Sequence, residues 1–373
     1  MPQQMPYIPS EVIFEILLRL PVKSLVRFRS VSKSWLSLLS SPQFINTHLN
    51  FSRNNHKDVP HKLLLLAPEQ ISSEKKCALY SSVSGKTSVD CVDLDYPVKS
   101  PGCVTQFIGS CDGLVCLSVE NSLILWNPST RIWKEIPKEP PFMNQDCFFT
   151  YGFGYDEWND DYKLVLVYSS KNKNSENEVK VYSLKANSWK GIKSFHSGYV
   201  YSNSGVLVNG VVHWDTRPHP DFNGCHHSIV SFDLATEKQG KLDLPSYHEH
   251  EDVHWDLMSS GDQSLFGFCH CESQGEVDIW VMKEYGVEES WTKFASVAYY
   301  VIPGIFYLPL YINKDGDVLL INGQSLVLFN TRNNMCKDLQ IHIPDTRRRI
   351  DLATYNESLV SPVFDDEDGC TLW

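Results

Sequence analysis

Six times between residues 80 and 329 a short apolar stretch closes on an aromatic, at Tyr80, Trp126, Tyr182, Phe232, Trp280 and Phe329, with spacings of 46, 56, 50, 48 and 49 residues. A period near fifty is the length of one four-stranded antiparallel unit. Such a unit cannot bury its own faces, so copies must stack, and stacking them in a ring removes open sheet edges. In four copies the next strand begins seven residues after the aromatic: WNPSTRIW to Trp133, YSLKANSW to Trp189, FDLATEKQ to Gln239 and FNTRNNMC to Cys336. The residues between are polar, which reads as strand, turn, strand. Trp280 reaches Trp291 only after eleven, a four-residue insertion. Upstream of the aromatics, Asp112-Gly113, Asn209-Gly210, Gly261-Asp262 and Asp315-Gly316 stand where two strands should reverse. The expectation is an all-β propeller of six blades over 61–373, with seven blades as the alternative and an antiparallel sandwich of similar strand count as the rival.

The first fifty residues follow a different period. Ile8 to Leu49 reads as three or four short helices, with Ser10, Ser32 and Ser41 as caps and Pro42 at a first helical position. Val12, Ile13, Ile16, Leu17 and Leu20 fall at helical spacing before Pro21, and Leu25, Phe28 and Val31 continue as a second apolar stripe. About forty residues bury little surface alone, so such a segment relies on a partner for its remaining apolar area.

The string PSEVIFEILLRLPVKSLVRFRSVSKSWLSLLSSPQF resembles the F-box in its plant form: Pro9, the paired Leu20-Pro21, the basic Lys23, Arg27 and Arg29, Trp35, and Ser41-Pro42-x-Phe44. Ile8 stands where that family usually has Leu, a volume-conserving change. The body is similar to the plant F-box-associated, kelch-like domain through GSCDGLVCL, LWNPSTRIWKEIP and YGFGYDE…DYKLV, within 109–137 and 151–165. Tyr355 to Pro362, YNESLVSP, looks like that family's closing strand, completing the first blade. The resemblance implies an F-box at 1–50, a polar link at 51–60 and a client-binding propeller at 61–373. It implies a substrate-recognition subunit of a Skp–cullin–F-box ubiquitin ligase, partnered by a Skp-type adaptor and through it a cullin, and marking a client protein for degradation. Members similar to S-locus F-box proteins act in pollen recognition and others act on immune receptors. The adaptor interface is expected among Ile8, Pro9, Ile13, Ile16, Leu17, Leu20, Pro21, Leu25, Val31 and Trp35.

Charge separates the two parts. Residues 1–60 carry seven Lys/Arg against three acids, or +4, which leaves −16 of the chain's −12 for the other 313 residues. A basic module suits an acidic adaptor, and an acidic body disfavours nucleic acid and suits a basic or neutral client. Met1 to Tyr7 has no basic or apolar signal region, and the apolar-rich run Val297 to Ile312 is broken by Pro303, Gly304 and Pro309, so no export and no membrane span are expected. Eleven scattered cysteines then read as free thiols in a reducing compartment, cytoplasmic, nuclear or both.

No HExxH, GxSxG, Walker A or Cys-x-x-Cys string occurs, so no enzyme, cofactor or metal is expected. Cys269-His270-Cys271 is two ligands short of a zinc site. Asp156, Glu157, Asp160 and Asp161 read as solvated turn residues, and Trp126, Trp133, Trp189 and Trp291 as blade-packing aromatics. A non-degradative kelch-type scaffold and, behind it, a propeller enzyme are the alternative functions. The client is expected on the face bearing the longer connections, with Phe142, Met143, Tyr199, Arg217, His219, Phe222, Tyr247, His254 and Trp255 as candidate anchors. Six histidines on that face (219, 226, 227, 248, 250 and 254) would make capture modestly pH-sensitive.

Overall fold

In a computed structural model the chain is described over residues 8–55, 62–66, 77–81, 91–94, 105–119, 122–138, 147–170, 177–195, 199–200, 204–217, 227–245, 253–260, 263–271, 274–298, 307–312, 316–322, 325–342 and 351–363. Four helices open it: α1 (Ser10–Leu18), α2 (Val22–Phe28), α3 (Lys33–Ser40) and α4 (Pro42–Asn55). Two of the expected caps form. Ser32 Oγ accepts from the Trp35 amide at 3.2 Å, and Ser41 Oγ accepts from the Phe44 amide at 3.3 Å. Ser10 instead lies inside α1, whose N-cap position is held by Pro9 without a side-chain bond. Helix α4 runs to Asn55, so residues 51–55 of the polar link are helical.

The strands form five four-stranded sheets and one five-stranded sheet, all with antiparallel neighbours. In chain order they are β1 (Lys62–Leu66), β2 (Cys77–Ser81) and β3 (Cys91–Leu94); β4 (Thr105–Cys111), β5 (Leu114–Val119), β6 (Ser122–Trp126) and β7 (Trp133–Ile136); and β8 (Cys147–Asp156), β9 (Asp161–Ser170), β10 (Asn177–Ser183) and β11 (Ser188–Phe195). There follow β12 (Tyr199–Val200), β13 (Val206–Val208), β14 (Val211–Arg217), β15 (Ser228–Asp233) and β16 (Gln239–Asp243); β17 (Val253–Ser259), β18 (Leu265–Cys271), β19 (Glu276–Met282) and β20 (Trp291–Ala298); and β21 (Tyr307–Ile312), β22 (Asp317–Asn322), β23 (Ser325–Asn330) and β24 (Met335–His342). The last strand, β25 (Asp351–Tyr355), returns to the first sheet and pairs with β1 from Leu66↔Asp351 to Lys62↔Tyr355. In the five-stranded sheet β12 and β13 pair with successive parts of β14, so together they occupy one edge position. The first strands β25, β4, β8, β13, β17 and β21 each neighbour the next around the molecule. The described strands supply no seventh sheet.

Each repeat aromatic lies on the third strand of its own sheet. Trp126, Tyr182, Phe232 and Phe329 are buried, and each faces its seventh residue on across the ladder, as Trp126↔Trp133, Tyr182↔Trp189, Phe232↔Gln239 and Phe329↔Cys336. The intervening turn is one device used four times. The oxygen of Asn127, Ser183, Asp233 or Asn330 accepts a backbone amide two or three residues on, and the residue four on, Arg131, Asn187, Glu237 or Asn334, turns to positive φ. A short polar side chain that mimics the backbone lets the chain reverse in so few residues. Trp280 departs from the pattern: it faces Lys293 across a bulge while Trp291 faces Met282, and the longer connection contains a three-residue 3-10 turn at Glu288–Ser290.

Two expectations are corrected here. The closing strand is Asp351–Tyr355 rather than Tyr355 to Pro362, because Ser358, Leu359 and Val360 are buried elsewhere. Asp156 and Asp161 are not solvated. Asp156 caps the Trp158 and Asn159 amides and ion-pairs with the buried Lys163 at 2.9 Å, while Asp161 accepts from Ser183 Oγ and the Lys185 amide. Burial alone would raise the Asp156 carboxyl, but hydrogen bonds from Lys163 and Asn159 outweigh it and hold it below the ordinary carboxylate range. Lys163 also donates to Leu234 O at 2.7 Å and reaches Glu237 at 3.5 Å, which ties the third sheet to the fourth. Two of the tryptophans at outer-strand starts do the same work, whereas Trp133, expected to pack between blades, is 44% exposed. Trp189 Nε1 donates to Pro137 O at 2.8 Å and Trp291 Nε1 to Asp243 O at 3.1 Å, each on the preceding sheet. No helix of the described residues is long and apolar enough to cross a membrane.

Candidate docking faces

Helix α1 carries two apolar stripes, and the fold separates them. Ile13, Phe14, Leu17 and Leu18 turn inward, and Leu17 packs with Val22, Leu25, Leu39 and Phe44 in the helical core. Phe14 meets Phe44 edge-on at 5.3 Å, and Phe28 meets Trp35 at 5.5 Å. Val12 and Ile16, four residues apart, form the outer stripe at 46 and 52% exposure, and Ile8, just before the helix, is 53% exposed. Val31 at 59% and Leu36 at 40% are also exposed on this module, as are Pro9, Pro21, Lys23, Arg27 and Lys33. Leu20, Ile13 and Trp35 are half-buried against the core.

The ten residues expected at the adaptor interface therefore divide. Ile8, Pro9, Ile16, Pro21 and Val31 are at the surface, Ile13, Leu20 and Trp35 are partly so, and Leu17 and Leu25 are not available, being fully enclosed by their own chain. Helical spacing alone marks Ile13, Ile16, Leu17 and Leu20 as one broad stripe; which edge faces inward is fixed by the helices it meets. Arg29 is also drawn in. Its Nη2 donates to Leu39 O at 3.2 Å, and burial lowers its pKa.

The helices sit on the turn-bearing side of the second and third sheets. Arg53 of α4 pairs with Asp112 in the β4–β5 turn, and Tyr162 donates to the other Asp112 oxygen at 3.1 Å. Ile45 and Leu49 of α4 pack against a propeller core that includes Leu114, Leu125, Ile136, Leu164 and Tyr182. The segment after β25 runs between the two parts, with Leu359 in the helical core and Val360 in the propeller core.

Of the expected client anchors, Phe142, Met143, His219, Phe222 and Tyr247 lie outside the described residues, as do four of the six histidines (219, 226, 248 and 250). Tyr199 and Arg217 are backbone partners in the register of β12 with β14. Trp255 is corrected: at 1% exposure it packs over Gly267, where a Cβ would lie 2.9 Å from its ring, so it is core rather than an anchor. His254 is partly exposed. Its Nε2 lies 3.5 Å from Asp256 Oδ1, His270 Nε2 lies 3.0 Å from Asp256 Oδ2, and the two imidazoles stack at 5.7 Å. Burial would raise the Asp256 carboxyl, but the two imidazoles outweigh it and hold it far below the usual range. Asp256 and His270 were not among the expected residues; the His254-x-Asp256 alternation on one strand face was the available signal. That alternation also splits Cys269-His270-Cys271 across two faces. No group of three or more His, Cys, Asp or Glu able to hold a metal occurs among the described residues.

Comparison with known proteins agrees with this division. An F-box domain matches residues 6–47 and an F-box associated beta propeller domain matches residues 79–362. The F-box/kelch-repeat protein At3g23880 of Arabidopsis thaliana is 32% identical over 95% of this chain and 96% of its own length. F-box protein CPR1 of Arabidopsis thaliana is 32% identical over 90% of this chain and 84% of its own. Among solved structures, an oligogalacturonate lyase in complex with manganese aligns at TM-score 0.41 with 11% identity over 64% of each chain, a likeness too distant to transfer any property.

Proposed function

Because the chain belongs to the family of F-box proteins that carry an F-box associated beta propeller, we propose that it is a non-enzymatic substrate-recognition subunit of a Skp–cullin–F-box ubiquitin ligase, acting in the cytoplasm, the nucleus or both. The observation that carries this reading is the exposure of Ile8, Val12, Ile16 and Val31 on a module that also exposes Lys23 and Arg27, while Leu17 and Leu18 of the same helix as Val12 and Ile16 are buried. An exposed apolar surface of this kind on a small helical module suits a large apolar interface with a Skp-type adaptor, and the basic surround suits an acidic one.

We read the six sheets as six blades of one closed ring. The helices occupy the side of the short β4–β5 turn, so the opposite side, where β7, β14 and β16 end, is left for a client protein. The chain would act by proximity: holding a client beside the ubiquitin carrier raises effective concentration and asks no catalytic group of the adaptor. Co-expression with a Skp-type adaptor tests the reading. The wild type should co-purify as a stable complex that Ile16→Asp with Val31→Asp abolishes, the helical signal unchanged. Undiminished co-purification of the double variant sinks the assignment of this face, and affinity capture under proteasome inhibition should name a client that accumulates when the chain is removed.

A further inference from the structure

The helical core contains one side chain from the far end of the sequence. Leu359, 2% exposed, completes the cluster of Leu17, Val22, Leu25, Leu39 and Phe44. The segment that delivers it is fixed on both sides. Asn127, itself fully buried, donates from Nδ2 to Val360 O at 2.7 Å and to Ser358 O at 3.1 Å. Ser358 Oγ donates to Asp112 O and accepts from the Val360 amide at 3.2 Å. Gly113 makes room for this contact: it holds φ +82°, and a Cβ there would collide with Ser358 Oγ. Asp112 in turn takes the ion pair from Arg53 at the end of α4.

Only three residues separate Leu359 from Tyr355, the last residue of β25, which pairs with Lys62. The four Cα-to-Cα steps from Tyr355 to Leu359 span at most about 14 Å, so pairing of β25 holds Leu359 within that distance of its site in the helical core, and loss of that pairing removes the tether. We propose that Leu359 is a positioning residue of the adaptor-docking face, and that through it adaptor docking is conditional on closure of the propeller. The outer stripe that would meet the adaptor lies on α1, and the inner side of α1 is held by Leu17 against the cluster that Leu359 completes. A chain whose ring has not closed presents an α1 without its full support and docks weakly, which keeps client-incompetent chains off the ligase. This inference rests on the adaptor reading above.

The test uses full-length Leu359→Ala and Leu359→Met, with amide hydrogen exchange and adaptor affinity as readouts. In Leu359→Ala, exchange in α1 and α3 should rise about thirtyfold while that in β14, β15 and β18 is unchanged, and adaptor affinity should fall about tenfold or more. Leu359→Met should restore both to within about threefold of wild type. If Leu359→Ala does not fold, the milder Leu359→Val must loosen α1 and α3 ahead of the propeller strands, and equal loosening of both overturns the proposal. So does Leu359→Ala with wild-type exchange in α1. A wild type that binds no Skp-type adaptor counts against the adaptor reading alone, since the exchange arm still decides whether Leu359 supports the helices.

Discussion

The helical module and the propeller are stabilised in opposite ways. The propeller is held by many small, repeated contacts: a capped turn used four times, indole-to-carbonyl bonds between neighbouring sheets, and an ion-pair chain from Asp156 through Lys163 and Glu237 to Lys190. The helices depend on six enclosed apolar side chains, one of them supplied from residue 359. A ring of similar units distributes its stability, whereas a module of about forty residues concentrates it, so comparable lesions should read differently in the two.

The largest effect is expected where the two share one element. Truncation after residue 350 removes β25 and the segment beyond it, exposing the edge of β1 and emptying the Leu359 site. We expect aggregation and no cooperative melt; a soluble truncation with an unchanged Tm would contradict closure by β25.

Within the propeller, Lys163→Met leaves Asp156 buried without its cation. This should cost about 4 kcal/mol by denaturant titration, with much of the loss recovered by adding Asp156→Asn. Equal stability of the single and double variants would show that the pair is not coupled. In the helical module, Leu17→Ala should cost about 3 kcal/mol. Its neighbour Ile16→Asp should change stability by no more than about 0.5 kcal/mol yet remove adaptor binding, because one faces the core and the other solvent. Matching stability losses at the two positions would erase the distinction between the stripes.

The propeller also contains a pH-sensitive joint. His213 on β14 donates from Nδ1 to Val206 O at 3.3 Å and accepts from Tyr285 OH at 3.0 Å, and burial holds its pKa down to about 4. The native state refuses a proton that the unfolded chain takes up near pH 6.5. Stability is therefore whole above that pH and falls as pH drops toward 4, by up to about 3 kcal/mol. Urea titrations between pH 7 and 4 should show this slope flattened in His213→Gln. Within the propeller the smallest effect is expected for Trp189→Phe, which loses one bond to Pro137 O and about 1 kcal/mol; a loss several times larger would mean that the indole is packing rather than tethering.

Much of this was legible in the sequence. The fifty-residue period located the third strand of all six sheets, and the seven-residue step gave the cross-strand partner in four of them, because both follow from strand alternation and a fixed turn length. The turn oxygens at Asn127, Asp233 and Asn330 act through neighbouring amides and needed no tertiary information. Trp255 was misread because a histidine-rich, polar approach suggested a loop, whereas β17 begins at Val253 and turns that indole inward over Gly267. Asp156 and Asp161 were misread because their buried partners, Lys163 and Ser183, become neighbours only once the strands pair.

By itself the sequence determined the family, the helical character of the first fifty residues, the repeat and the short turns, since each depends on residues a few positions apart. Only the tertiary structure decided which stripe of α1 stays open, that β25 ends at Tyr355, and that the next residues cross to the helices. Those outcomes depend on contacts between positions some 230 to 340 residues apart, such as Asn127 with Val360 and Leu17 with Leu359, and local pattern carries no record of partners brought together by closing the ring.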